Sequence, residues 1–103
     1  MQELLPGVHQ AITLMKAGPM KFNAGMLAIK AEDALVLMSP FTLPEDQRRA
    51  LEALGQPTHI IIDADSHERD ADAYRQQYGA KILSHHQIAP KLKLEPDLTF
   101  KTG

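Results

Sequence analysis

The stretch from Thr58 to His86, THIIIDADSHERDADAYRQQYGAKILSHH, constrains the fold more than any other part of the chain. THIIID is a short, uninterrupted apolar run rich in β-branched residues, the pattern of a strand covered on both faces. It breaks into acids and a histidine, continues as a helical segment from about Ser66 to Tyr78, stops at Gly79, and enters a second apolar run, AKILS. Strand, helix and strand in that order form a βαβ crossover, which is right-handed and sets the two strands parallel. Asp65 with Glu68 suits a cap at the helix start and Gly79 suits its end, with Ala71, Tyr74 and Tyr78 as the candidate buried residues.

The flanking segments extend this unit into a mixed sheet. Val8 to Lys16 alternates loosely around Ile12 and Leu14 and leaves through AGPM, so it reads as a strand ending in a turn. GMLAIK and ALVLMS, separated by Ala31-Glu32-Asp33, suit an antiparallel hairpin. In SPFTLPEDQRRALEALGQP, Thr42 and Glu45 have capping-box spacing, Pro44 falls in the first turn, and Gly55 with Pro57 supplies the stop. Leu43, Gln47, Ala50, Leu51 and Leu54 give this helix one narrow apolar stripe. Toward the end of the chain, KLKLEP and DLTFKTG alternate as short half-buried strands would, with Leu92/Leu94 and Leu98/Phe100 facing inward.

A length of 103 residues fits a single domain, one small enough that a partner would add materially to its buried surface. Eleven Lys+Arg against 13 Asp+Glu leave no basic excess, so neither nucleic acid nor an anionic membrane is an expected partner. The absence of cysteine removes disulfides and thiolate metal sites and suits a reducing compartment. No segment approaches the ~20 apolar residues of a membrane span, and MQELLPGVHQ lacks the pattern of a secretory leader. The expected location is the cytoplasm. No Gly-rich phosphate loop, nucleotide fingerprint or nucleophile elbow is present.

Hairpin, helix, apolar strand, polar elbow, helix and YGAKIL in succession resemble the first half of the metallo-β-lactamase superfamily of hydrolases. The likeness is strongest in ALVLMSPFTLPEDQRRALEALGQPTHIII and AYRQQYGAKILSH. It implies an α/β fold, a mixed β-sheet with its helices on one face, equal to half of an α/β/β/α sandwich. In that family the apolar strand runs into a loop of the form H-x-H-x-D-H, whose ligands hold one or two zinc ions that activate water. Aligned on Tyr78-Gly79-Ala80, the six motif positions here are Ile62, Asp63, Ala64, Asp65, Ser66 and His67. Only His67 retains a ligand there. Ile62 and Ala64 replace the two histidines, Ser66 replaces the aspartate, and Ser39 replaces an acidic residue at the end of the preceding strand.

The resemblance therefore implies a metallo-β-lactamase-like protein without its zinc ligands, acting as a catalytically silent binding or assembly module with no cofactor. The alternative slides the motif by one residue, so that Asp63, Asp65 and His67, with Glu68, form an acid-rich metal site in a hydrolase acting on a phosphoester or thioester. Oxygen-rich ligands favour manganese, magnesium or iron over zinc. A plainer reading makes Asp65 and Ser66 helix caps, Glu68 a first-turn acid and His67 a surface residue. His85 and His86, adjacent on a strand, point to opposite faces and make a poor ligand pair. His9 and His59 read as structural residues, and the charges of Arg48-Arg49 and HERD as solvated helix faces. The strand-like ending suits a chain truncated within the fold. Strands apolar at consecutive positions, with helices on one side only, leave the other sheet face for a partner. A homodimer through that face is expected.

Overall fold

A computed structural model describes residues 1–101, so Thr102 and Gly103, which close the expected DLTFKTG strand, lie outside the described residues. Its strands form one sheet in sequential order: β1 (Gln2–Leu5), β2 (Val8–Ala17), β3 (Met20–Ala31), β4 (Ala34–Met38), β5 (His59–Ile62), β6 (Lys81–His85) and β7 (Leu98–Phe100). The first four are antiparallel, and β4 to β7 are parallel. Helices α1 (Glu45–Leu54) and α2 (Ala71–Tyr78) fill the β4–β5 and β5–β6 crossovers, and the β6–β7 crossover carries only a 3₁₀ turn. Successive right-handed crossovers in one direction place both helices on the same face. Side-chain bonds between them agree: Tyr78 Oη donates to Glu52 Oε2 at 3.0 Å and Gln56 Nε2 to the Tyr78 carbonyl at 2.7 Å.

Turn chemistry sets the register. Glu32-Asp33 closes a two-residue hairpin that pairs Ala31 with Ala34. At Gly7, φ is +82° and a Cβ would stand 3.0 Å from the Lys30 carbonyl, so only glycine lets the β1–β2 turn pack against β3. The register then carries apolar side chains into rows. Ala28, Leu37, Ile60 and Ile82 stand in line across four strands under the helices, each fully buried. Leu51 from α1 and Ala71 and Tyr74 from α2 complete this core. On the opposite face Leu27, Met38, Ile61, Leu83 and Leu98 form an equivalent row with no helix over it.

Several local expectations are corrected. Thr42 does not cap α1; Pro44 stands at the entrance, and both the Thr42 backbone N–H and Oγ1 donate to Asp70 Oδ2, at 2.6 and 2.9 Å. A partner 28 positions away thus replaces the local one. The second helix does not start at Ser66. Asp65–His67 is a 3₁₀ turn, Arg69 breaks the path at φ +42°, and α2 begins at Ala71 without a side-chain cap from Asp65 or Glu68. Glu68 instead accepts the backbone N–H groups of Lys93 and Leu94, each at 2.9 Å. Those donors are therefore unavailable to a strand, and KLKLEP is a loop following a 3₁₀ turn at Ala89–Lys91. β7 forms, but it is an exposed edge strand rather than a half-buried one. β1 and the first residues of β3 were not anticipated, because neither alternates strongly. Among the described residues no helix is long and apolar enough to cross a membrane.

Candidate functional site

The parallel strands β4 and β5 end side by side, and the loops that leave them meet on one rim of the sheet. Ser39 follows β4 with φ +55°, a left-handed conformation that a non-glycine residue adopts at a cost, and it is buried. Its Oγ donates to Asp63 Oδ1 at 3.1 Å. His67, one turn beyond Asp63, places Nδ1 2.8 Å from the same Oδ1 and 3.1 Å from Ser39 Oγ. The three side chains close a triangle.

The chemistry of this triangle fixes its protons. Burial pulls the Asp63 carboxyl upward, but hydrogen bonds from His67, Ser39 and its own backbone, with the His67 charge, outweigh it and hold it below the usual carboxylate value. An ionised carboxylate only accepts, so Nδ1 of His67 carries a hydrogen and, in the neutral ring, Nε2 carries the lone pair. Ser39 Oγ then donates to the carboxylate as well. This is not the relay of a serine hydrolase, in which one imidazole nitrogen faces the acid and the other the nucleophile. Here both neighbours face Nδ1.

Arg69 frames the triangle. Its Nη1 donates to the carbonyls of Ser39 at 2.7 Å and Gly25 at 2.9 Å, and its guanidinium lies 5.8 Å from the Phe41 ring centroid. Sequence reading placed this arginine among solvated helix charges; it is instead partly buried and joins β3 to the end of β4. The only local signal of its role was the crowding of HERD between two helical segments. The backbone N–H of Asp70 donates to the Pro40 carbonyl at 3.1 Å, so the 39–42 and 63–70 loops are laced together. Beside His67, a notch of about 170 Å³ is lined by Met15, Phe22, Ser66 and Arg69.

Asp65 stands outside the triangle, and Ser66 and Arg69 separate the notch from a second opening. Asp65 lines an open cleft of about 560 Å³ with Glu68, Asp72, Arg69, Arg75 and Lys93, where acids and bases alternate. The structure thus brings together Asp63 and His67 of the sequence-predicted set and adds Ser39. Among the described residues no three His, Cys, Asp or Glu side chains gather as a metal-binding group. Of the positions the family resemblance assigns to zinc, Ile62 is fully buried in the apolar core and Ala64 has no donor atom. Neither position supplies a metal donor at the rim. The other histidines have structural neighbours: His9 lies 3.6 Å from Glu3, His59 Nδ1 is 2.8 Å from Thr58 Oγ1, and His85 packs against His86 and edge-on to Phe100.

No protein-family model matches the chain, and no curated protein is similar to it. Its fold does match solved structures. It is similar to a metallo-β-lactamase from Pontibacter korlensis, with a TM-score of 0.78 and 13% identity over 98% of this chain and 52% of that one. A metallo-β-lactamase from Hirschia baltica gives a TM-score of 0.73 at 13% identity, over 99% and 52%. The metallo-β-lactamase FIM-1 from Pseudomonas aeruginosa, solved in a mono-zinc form, gives 0.69 at 12%, over 98% and 50%. The chain has the metallo-β-lactamase fold over about half the length of these structures, consistent with its N-terminal half.

Proposed function

We propose that this chain is a metallo-β-lactamase-like module that builds no zinc hydrolase centre and works by binding or assembly, in the cytoplasm. The observation that carries this reading is the closed triangle of Ser39, Asp63 and His67. It occupies the rim where the resemblance expects a metal loop, and there Nδ1 of His67 and Oδ1 of Asp63 satisfy each other. Elemental analysis of protein purified without chelator tests it. Zinc well below one equivalent per chain is expected, and one equivalent overturns the reading.

A second reading rests on the 2.8 Å contact between Asp63 and His67. A carboxylate on one imidazole nitrogen orients the ring so that the other is available to a divalent metal, a pairing common around metal-bound histidines. In that reading His67 Nε2 is the ligand, Asp63 is its orienting partner, and Asp65 would have to move to join them. Bound manganese or iron at one per chain, lost in His67→Ala, would favour this metal-dependent hydrolase.

A further inference from the structure

Arg69 carries a positive charge without a counter-ion among the described residues. Both N–H groups of its Nη1 are spent on neutral carbonyls, those of Ser39 and Gly25, while Nε and Nη2 have no hydrogen-bond partner there and no ion pair includes this side chain. Asp63 does not supply the missing charge: burial raises its pKa, His67, Ser39 and its own backbone lower it, and Arg69 takes no part. The guanidinium is nevertheless half-withdrawn from water, beside the buried Phe41 ring. A cation in that setting is costly until an anion joins it. The free donors define the anion. Nε and Nη2 point along one edge of the planar fork, the arrangement that takes both oxygens of a carboxylate.

We propose that the notch beside His67 binds a small organic carboxylate with an apolar body, its oxygens on Nε and Nη2 of Arg69 and its body against Met15 and Phe22. These two side chains line the notch with Ser66, His67 and Arg69, so an apolar wall stands across from a guanidinium, a hydroxyl and an imidazole. Met15 and Phe22 are registered partners and share the face of the buried Ala24, Met26 and Ala28, which places the notch on the helix side of the sheet. What covers the opposite face therefore does not enter. At about 170 Å³ the notch has room for on the order of six waters at their liquid volume, which admits one ring or a short branched chain. Arg69 is its one permanent cation among the described residues, so a monoanion is matched and a phosphate dianion is not. The inference rests on reading the rim as a binding site and adds the class of ligand.

Benzoate is the probe, titrated into isotope-labelled protein freed of metal by chelator and followed by nuclear magnetic resonance. It should saturate with a Kd on the order of 1 mM, as a small ligand held by one bidentate pair and one apolar wall would. The shifted resonances should be those of Met15, Phe22, Ser66, His67 and the Arg69 side chain. Benzamide, which keeps the ring and loses the charge, and acetate, which keeps the charge and loses the ring, should each bind at least ~10-fold more weakly. Phe22 is 44% exposed, so Phe22→Ala spares the core; it should weaken benzoate binding ~10-fold with unchanged far-ultraviolet circular dichroism. Phe100→Ala on the edge strand β7 should leave benzoate binding unchanged. The proposal is overturned by benzoate that does not saturate, by benzamide or acetate binding as well as benzoate, by a Phe22→Ala protein that binds like wild type, or by a loss in Phe100→Ala. Because the titrated protein is metal-free, zinc at one equivalent in untreated protein overturns the binding-module reading alone, and silence toward benzoate overturns this inference alone.

Discussion

Two hydroxyls are buried beneath the helices of this small protein, and removing them should have opposite effects. Tyr74 Oη donates to the Phe41 carbonyl at 2.7 Å in a buried setting. Burial first, then the charges of Tyr78 and Asp70, push its phenol above the ordinary value, so the donor keeps its proton wherever the fold is measured. Ser84 on β6 is fully buried, yet its Oγ finds no hydrogen-bond partner among the described residues. Tyr74→Phe removes one net hydrogen bond and strands the Phe41 carbonyl, which should cost about 1.5–2 kcal/mol. Ser84→Ala deletes a hydroxyl that was desolvated without compensation. Allowing for the packing lost with one oxygen atom, it should gain about 1 kcal/mol. Urea unfolding at one fixed protein concentration measures both, read as midpoint shifts at constant m-value. A shift of roughly 1 M down for Tyr74→Phe and somewhat less than 1 M up for Ser84→Ala is expected for a domain of this size. A destabilised Ser84→Ala would refute the reasoning about that hydroxyl. A neutral Tyr74→Phe would do the same for the bond that joins α2 to the loop after β4.

Asp63 sits below its ordinary pKa in the folded protein, so its ionised form adds stability that is present above the unfolded value, near 3.8, and fades as pH falls through the folded value. With that side chain 46% exposed, solvent screening keeps the contribution under ~1 kcal/mol. Asp63→Asn should therefore show a shallower loss of stability than wild type in acid titration from pH 5 to 3, and parallel curves would count against the triangle. Arg69→Ala should lower stability by about 1.5–3 kcal/mol, since two charge-assisted bonds to backbone carbonyls are lost. A change below half a kcal/mol in urea unfolding would return Arg69 to the solvated charges.

What the sequence disclosed and what it withheld divide along local and distant causes. The βαβ unit was legible because THIIID, Gly79 and AKILS carry their signals within a few residues, and β5 and β6 are indeed adjacent and parallel. The hairpin between β3 and β4 was legible for the same reason. The helix entrances were misjudged because their polar side chains are committed far away: Thr42 to Asp70, and Glu68 to Lys93 and Leu94. Capping motifs assume that the nearest backbone N–H is the best partner, and tertiary donors here displaced it. At the rim, Asp63 and His67 were within reach of i,i+4 reasoning and the resemblance set Ser39 at the neighbouring strand end, whereas Arg69 joined them only through the meeting of β3 and β4.

The sheet never doubles back: each strand bonds to the strand made just before it. A ribosome releasing this chain from the N-terminus would present β1, β2, β3 and β4, joined by three successive tight turns, before any crossover is required. Hairpins close in microseconds, while synthesis delivers only ~5–20 residues each second, so each strand has its template waiting when it emerges. The parallel strands then add one at a time to a growing edge, β5 and β6 each after a helix and β7 after a shorter loop. Each intermediate exposes that edge for the time needed to translate its crossover, which is longest, about 20 residues and on the order of a second or more, between β4 and β5. The interval between β4 and β5 is therefore when the nascent chain is most open to strand pairing with a neighbour on the same message.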